Sequence, residues 1–267
     1  DRGLVGSEMC IRDRCMTFEK IAQEIPFNDR GKVRGEIWFP TLFHFIDILN
    51  YEERNKKWLK HIFKWRDDDN IGIVRSNSRG WHSAVDMHTR EEYVDMGKEA
   101  LKVGQQIHKT LGLNPKTEPV IDNMWANVSQ FGAHNRNHTH PGSHFSFVYY
   151  LQCPEKCGQI WFSDPRAQAV AVQLPYNPEK PRIRETLNEV YWAPVPGRLI
   201  VFPSWAVHEV EPNLSELKGK KGLRVSVSGN MSFHARKNEK ISEVRTGHDA
   251  KGFLTLDGVE KLSLIHI

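Results

Sequence analysis

The sequence predicts a mainly β protein with helical support, whose core is an antiparallel double-stranded β-helix of the jelly-roll, cupin-like type. Two observations lead to this fold class. The first half of the chain carries two stretches with helical periodicity, and from residue 119 onward the pattern changes to short β-rich segments separated by Gly and Pro. Several short strands that follow a pair of helices are typical of two packed antiparallel sheets with helices on one side.

Two helices are predicted ahead of the β-rich region. Residues 51–65 alternate charged and apolar side chains with helical spacing. Residues 89–113 carry a single apolar stripe at steps of three and four, which indicates packing against the core. Thr89 and Glu92 have the spacing of a capping box, and Gly112 supplies a stop signal.

Seven strands are predicted from β-branched and aromatic content and from the turn residues between them. They cover residues 119–132, 145–152, 159–163, 189–193, 198–202, 207–210 and 223–228.

Both ends of the chain look foreign to the fold. Residues 1–15 and 262–267 resemble translated sequencing-adaptor text, so we expect them to be artefacts, with Met16 as the start and the true termini left open. The remaining chain is expected to divide into an N-terminal strand and helices that support the core, a jelly-roll core, and a polar tail, at residues 16–118, 119–233 and 234–261.

Composition narrows the class of partner. The 267 residues carry a net charge of +4 with both signs interspersed, which does not favour nucleic acid as a partner. No apolar run reaches the length that a membrane span requires. The four cysteines form no disulfide framework, which favours a reducing compartment, so we expect a cytoplasmic protein with no membrane partner.

Four of the thirteen histidines fall within eleven residues, and two of them are spaced for metal binding. On a strand, residues i and i+2 share a face, so His138 and His140 can point at one spot. Neutral imidazole is the commonest protein metal ligand, and His208 is the candidate for a third ligand. For His134 and His144 we favour a role outside the metal site.

A possible anion site follows His208 along the chain. Arg224 and Ser226 are again i and i+2 on a predicted strand, and a guanidinium beside a hydroxyl forms a fork for a carboxylate. Five aromatic residues of the β-rich region are expected mostly in the core, with one or two of them in the wall of a substrate pocket: Trp125, Tyr149, Trp161, Trp192 and Trp205.

In this order, these motifs resemble the iron(II)- and 2-oxoglutarate-dependent oxygenases, and in particular a small group of uncharacterised oxygenases with an H-x-H pattern. The resemblance covers residues 36–233. Its motifs are His138 to Pro141, Tyr149-Tyr150, Asp164-Pro165-Arg166, Phe202 to Val210 and Arg224 to Asn230, and it also takes in Trp38 to Thr41 and Ser76 to Trp81.

The resemblance implies Fe(II) as cofactor, with 2-oxoglutarate and O₂ as co-substrates, and hydroxylation of an unknown substrate. It implies that His138, His140 and His208 hold the metal. The far carboxylate of 2-oxoglutarate would be bound by Arg224 and Ser226, with a further hydrogen bond from Tyr149, Tyr150 or Asn127. Arg166 is a second cation that could bind the co-substrate or an acidic substrate.

One departure from the broad superfamily leaves alternatives open. The usual motif is H-x-D or H-x-E, whereas the acid position here is His140. Asp164 could instead supply a carboxylate from a neighbouring strand. A cupin-like three-histidine dioxygenase that does not use 2-oxoglutarate, and a non-catalytic jelly-roll binding module, remain as rivals. The substrate, whether a small molecule or a peptide, and a homo-oligomeric state also stay open.

Overall fold

The computed structural model describes residues 39–172 and 174–236. The chain divides into two units, residues 1–40 and 41–267, and the second unit contains all the elements described below. Both segments expected to be artefacts, the start at Met16 and the tail beyond residue 236 lie outside the described residues.

Eleven strands form two antiparallel sheets in the described part of the chain. They are β1 His44–Asp47, β2 Asn77–Ser78, β3 Trp81–His82, β4 Thr117–Ser129, β5 His134–His138, β6 Phe145–Gln152, β7 Ile160–Ser163, β8 Glu189–Trp192, β9 Arg198–Pro203, β10 His208–Val210 and β11 Arg224–Ala235. The larger sheet has the order β1-β9-β6-β11-β4-β3, and the smaller has the order β2-β5-β10-β7-β8. This is the predicted two-sheet jelly-roll core.

The larger sheet buries both of its faces, and its strands alternate between them. On β6, Tyr149 joins one apolar cluster while Val148 and Tyr150 join another. The first cluster lies under the helices. The second lies between the two sheets with Phe162 of β7 and Phe202 of β9. Period-two alternation therefore decides which side chains can reach the space between the sheets.

The predicted helices pack against the outer face of the larger sheet. They are α1, Tyr51–Asp68, and α2, Val94–Thr110; a third and shorter helix, α3, spans Ala167–Ala171. Trp58 of α1 and Ile107 of α2 are buried in the cluster that also holds Val227 of β11. None of the described helices is long and apolar enough to cross a membrane.

The start of α2 differs from the prediction. Short 3₁₀ turns at Met87–Thr89 and Glu91–Tyr93 precede it, with Arg90 extended between them (φ −90°, ψ 130°). Thr89 makes no capping hydrogen bond, because its hydroxyl donates to the carbonyl of Asp86 at 2.8 Å. The predicted stop is confirmed, since Gly112 has φ +61° directly after the last turn.

Three short strands were not predicted, and they matter for the site. Strands β2 and β3 contain two residues each, and β5 is polar throughout, so none shows hydrophobic alternation. The expectation that His138 and His140 share a strand was wrong in detail, because β5 ends at His138. Trp205 was also wrongly expected in the core, since it is 52% exposed.

Candidate active site

A cavity of about 500 Å³ lies between the two sheets and contains the predicted site residues. Its floor is the inner face of β4 and β11, which carries polar side chains at alternate positions such as Asn127 and Ser226. Its opposite wall comes from the smaller sheet, which contributes His138 and His208. A polar floor inside an otherwise apolar sandwich points to ligand binding, since buried polar groups require partners.

Strand pairing brings the three candidate ligands together. His208 of β10 lies directly opposite His138 of β5, with ring centroids 4.2 Å apart. His140 follows β5 in a loop that is fixed by a hydrogen bond from its backbone N–H to the carbonyl of Ser204 at 2.9 Å. Its Nε2 atom lies 3.3 Å from Nε2 of His208.

The hydrogen bonds of two of these rings define which nitrogen can bind a metal. Nδ1 of His138 lies 2.6 Å from the carbonyl of Arg136, and Nδ1 of His208 lies 2.9 Å from the carbonyl of Ala206. A carbonyl only accepts hydrogen bonds, so Nδ1 carries the proton in both rings and Nε2 presents its lone pair to the cavity.

Burial keeps all three rings neutral. It lowers the pKa of His138, and it lowers the pKa of His140 to about 4 and that of His208 to about 3. The charge that His138 would carry lowers the last two further. A neutral imidazole is the form that binds a metal, so the site is ready to bind one at pH 7.

The dimensions of the cluster suit one divalent ion. The candidate ligand atoms of His138, His140 and His208 all lie within 4.8 Å of one another. Two nitrogens bound at right angles to one ion lie about 3 Å apart when each bond is about 2.1 Å long. The 3.3 Å separation of His140 and His208 is close to that value.

Asp164 does not join this cluster. Both of its carboxylate oxygens accept hydrogen bonds from the guanidinium of Arg166, at 3.0 and 2.8 Å, and these bonds lower the pKa of Asp164. Neither residue lines the cavity, so Asp164 and Arg166 do not serve the roles that the sequence had left open for them. The other two histidines of this segment also face elsewhere: Nδ1 of His134 contacts the carbonyl of Gly132, and Nδ1 of His144 accepts the N–H of Phe233.

Arg224 is buried at the cavity wall with part of its hydrogen-bonding capacity unused. It is 2% exposed, and burial lowers the pKa of its guanidinium. Its Nη1 atom donates to the carbonyls of Cys157 and Glu211, the latter at 2.9 Å. Its Nη2 atom is buried and has no hydrogen-bond partner among the described residues. An unpaired buried guanidinium nitrogen costs free energy, so this atom fits a site for a bound anion.

Three other predicted co-substrate residues lie on the same sheet as Arg224. Tyr150 is the strand partner of Ser226, both line the cavity, and neither hydroxyl makes a hydrogen bond within the described part of the chain. Asn127 lies beside them and donates to Ser228 at 3.2 Å. Tyr149 was wrongly included: its side chain is on the helix-facing side of β6, where its hydroxyl donates to Asn55 at 2.6 Å.

Several cavity residues were missed by the sequence analysis. His82 and Trp125 stack almost parallel, with centroids 5.3 Å apart, and Trp125 also lies 5.8 Å from the ring of His140. Arg75 lines the opening. Trp125 was named only as one of several possible wall residues, whereas Arg75 and His82 precede the β-rich region and belong to no motif.

Comparison with known proteins gives one family match. Residues 123–230 match the model of a family described as "Putative 2OG-Fe(II) oxygenase". The matched segment contains the three histidines, Arg224 and Ser226. No curated protein matches the sequence significantly.

The solved structures that are similar to this chain include two enzymes. The epimerase SnoN from nogalamycin biosynthesis, in complex with Fe³⁺, alpha ketoglutarate and nogalamycin RO, is 11% identical, with 80% of this chain and 90% of that chain covered and a TM-score of 0.51. A Pseudomonas putida prolyl-4-hydroxylase is 18% identical, with 73% of this chain and 94% of that chain covered and a TM-score of 0.48. At such low identity the likeness to SnoN establishes a shared fold and leaves the substrate undetermined.

Proposed function

We propose that this chain is an oxidoreductase that uses Fe(II), 2-oxoglutarate and O₂ to hydroxylate a C–H bond of a primary substrate. The match of residues 123–230 to the family model described as "Putative 2OG-Fe(II) oxygenase" supports this proposal. In this proposal His138, His140 and His208 hold the iron. Arg224, Ser226 and Tyr150 bind the far carboxylate of 2-oxoglutarate, with Asn127 beside them.

One observation carries the assignment of the co-substrate. Nη2 of Arg224 is a buried guanidinium nitrogen that has no hydrogen-bond partner in the part of the chain that the structure describes, and Arg224 lines the same cavity as the histidine cluster. A carboxylate would satisfy this atom with a charge-assisted hydrogen bond, and the free hydroxyls of Ser226 and Tyr150 could donate to the same group. 2-Oxoglutarate carries a carboxylate at each end. One end would bind Arg224 at one side of the cavity, and the other would bind the metal held by the histidines.

The residues divide the work of the proposed reaction. The iron, when bound, would supply the activation of O₂ and the oxidative decarboxylation of 2-oxoglutarate to succinate and CO₂. The carbonyls of Arg136 and Ala206 keep two of the imidazoles in the tautomer that binds metal. The carbonyls of Cys157 and Glu211 hold one nitrogen of Arg224, which directs the other nitrogen toward the cavity.

Replacement of Arg224 tests the co-substrate assignment. Arg224→Lys keeps the charge but loses the planar fork, so it should weaken 2-oxoglutarate binding to the Mn(II)-loaded protein by about tenfold or more. The matched control is Arg198→Lys, since Arg198 pairs with Asp47 away from the cavity at 2.7 Å. Calorimetric titration measures both, and equal affinity in the two variants would contradict the assignment.

A second candidate function is favoured by the metal ligands themselves. Three neutral imidazoles with no carboxylate are the set expected of a three-histidine dioxygenase that acts on its substrate without 2-oxoglutarate. In that case the Mn(II)-loaded protein would bind no 2-oxoglutarate, and Arg224 would bind an acidic group of the substrate itself. The same titration separates the two candidates.

The proposal also covers the cellular location of the enzyme and its partners. Cys153 and Cys157 are free thiols separated by only three residues in the connection between β6 and β7. Free neighbouring thiols are compatible with a reducing compartment, which supports a cytoplasmic location. A small molecule or a peptide is the expected partner, and a homo-oligomer stays open.

A further inference from the structure

The charged side chains that line the cavity are all positive in the described part of the chain. Among the described residues that line it, two are arginines and none is an aspartate or glutamate. Arg224 has a role in the proposed function, whereas Arg75 has none. An imidazole ligand carries no negative charge, so the three histidines do not reduce the charge of a bound divalent ion.

Arg75 is held at the opening by the backbone of its own segment. The side chain of Asn77 donates to the carbonyls of Ile73 and Gly80, at 3.1 and 3.0 Å, and accepts the N–H of Arg75 at 2.7 Å. The next carbonyl along, that of Ser76, accepts the N–H of Arg136 on β5 at 3.0 Å. The position of Arg75 is therefore fixed relative to the strand that carries His138.

The guanidinium of Arg75 is unpaired in the described part of the chain. The residue is exposed, and its side chain makes no hydrogen bond or ion pair within the described part of the chain. By contrast, Arg54, Arg90, Arg166 and Arg198 all pair with carboxylates at 3.2 Å or less. A fixed backbone and an unpaired guanidinium at the edge of a cavity suit the recognition of a ligand carboxylate.

His82 provides a second polar group in the lining of the same cavity. Nδ1 of His82 lies 2.6 Å from the carbonyl of Ser83, so Nδ1 carries the proton, and Nε2 has no hydrogen-bond partner in the described chain. Its ring is stacked on Trp125, whose other neighbour is His140. Arg75, His82 and Trp125 thus line the same cavity, and the stack of His82 on Trp125 extends to His140 of the histidine cluster.

We propose that the primary substrate is a small carboxylic acid, whose carboxylate binds Arg75 at the opening while its apolar part lies against Trp125 toward the histidine cluster. This inference rests on the proposed oxygenase function. With iron and both arginines in place, the site carries four positive charges, and 2-oxoglutarate supplies two negative charges. An anionic substrate offsets part of the remainder, whereas a cationic one adds to it. The cavity of about 500 Å³ is within the range of small-molecule pockets.

The test compares the binding of carboxylic acids with that of their matched amides. The protein is loaded with Zn(II), which does not support turnover, and is saturated with 2-oxoglutarate. The probes are 3-phenylpropanoate and hexanoate, each with its neutral amide, titrated calorimetrically. The variant is Arg75→Gln. The control is Arg79→Gln, which removes the same charge from an exposed position of the same segment that does not line the cavity.

The expected result is a preference for each acid over its amide of about tenfold in the wild type and in Arg79→Gln, and loss of that preference in Arg75→Gln. The inference is overturned if acids bind no better than amides, which includes the case in which neither binds. It is also overturned if Arg75→Gln keeps the preference. Binding of 2-oxoglutarate is measured first in every variant. If the wild type does not bind 2-oxoglutarate, both the proposed function and this inference are contradicted. If it does bind 2-oxoglutarate, the comparison of acids with amides tests the substrate class alone.

Discussion

At the scale of single residues, the site depends on which nitrogen of each histidine carries a proton. Backbone carbonyls fix that choice for His138 and His208. Removal of either ring leaves two ligands, which bind a divalent ion far more weakly than three. Histidines of the same loop that face elsewhere provide an internal comparison.

We expect His208→Ala to lower affinity for Fe(II) by at least about a hundredfold, because it removes a direct ligand. The unfolding midpoint should change by only about 5 °C or less, since one partly polar side chain is lost from the cavity wall. His134→Ala should keep full iron stoichiometry, because Nδ1 of His134 contacts a carbonyl outside the cluster. Metal content and circular dichroism measure both, and retained iron in His208→Ala would remove it from the ligand set.

Residue spacing predicted some of these positions and could not predict others. Residues i and i+2 of a strand share a face whatever the rest of the fold, so the sequence alone could place Arg224 and Ser226 on the same face. Arg75 and His82 reach the cavity only because β2 and β3 add to the edges of two different sheets. Strands of two residues carry no periodic signal, and long-range pairing decides their position.

At the scale of elements, the alternation of β6 separates two adjacent tyrosines. Tyr149 faces the helices and donates to Asn55, whose own amide donates to the carbonyl of Leu151 at 2.9 Å. Tyr150 faces the cavity. The sequence showed that one of the two must face inward, but which one depends on the register with β9 and β11.

Removal of the two phenolic hydroxyls should therefore affect different properties, stability in one case and 2-oxoglutarate affinity in the other. Tyr149→Phe leaves the buried Oδ1 of Asn55 without a donor and should lower the free energy of unfolding by about 1–3 kcal/mol, with 2-oxoglutarate affinity unchanged. Tyr150→Phe should weaken 2-oxoglutarate binding by about tenfold and change stability by less than about 0.5 kcal/mol. Urea titration and calorimetry check the pair, and the reverse pattern would mean that the faces of β6 are assigned wrongly.

The helices show where local signals compete. The capping-box spacing of Thr89 and Glu92 predicted a helix from residue 89, yet α2 begins at Val94. The extended conformation of Arg90 interrupts the turn, and its guanidinium lies 3.6 Å from the ring centroid of Trp65. A tertiary contact with α1 thus accompanies an interruption that the local pattern does not reveal.

At the scale of the whole molecule, the site lies between two sheets, so any ligand bound there contacts both. Such a ligand stabilises the folded protein relative to the unfolded chain, because the histidines and Arg224 converge only after the sheets pair. The fold class followed from strand count and turn residues, whereas the cavity volume and the orphan nitrogen of Arg224 depend on packing that no local pattern encodes.

Mn(II) and 2-oxoglutarate together should raise the unfolding temperature. At one hundred times the dissociation constant a ligand adds about 2.7 kcal/mol, which corresponds to roughly 5–10 °C for a domain of this size. Arg224→Lys should retain the part due to Mn(II) and lose the part due to 2-oxoglutarate. A thermal scan that shows the same shift with and without 2-oxoglutarate in the wild type would be inconsistent with co-substrate binding.

The measurement that tests the central claim most directly is an anaerobic titration of the protein with Fe(II) and 2-oxoglutarate, followed by visible absorption. We expect a weak charge-transfer band that requires both components, persists in Arg198→Lys and disappears in Arg224→Ala. Iron binding without any band would contradict the assignment of 2-oxoglutarate and favour the three-histidine dioxygenase. A protein that binds no iron at all would contradict the metal centre itself and favour a non-catalytic binding module.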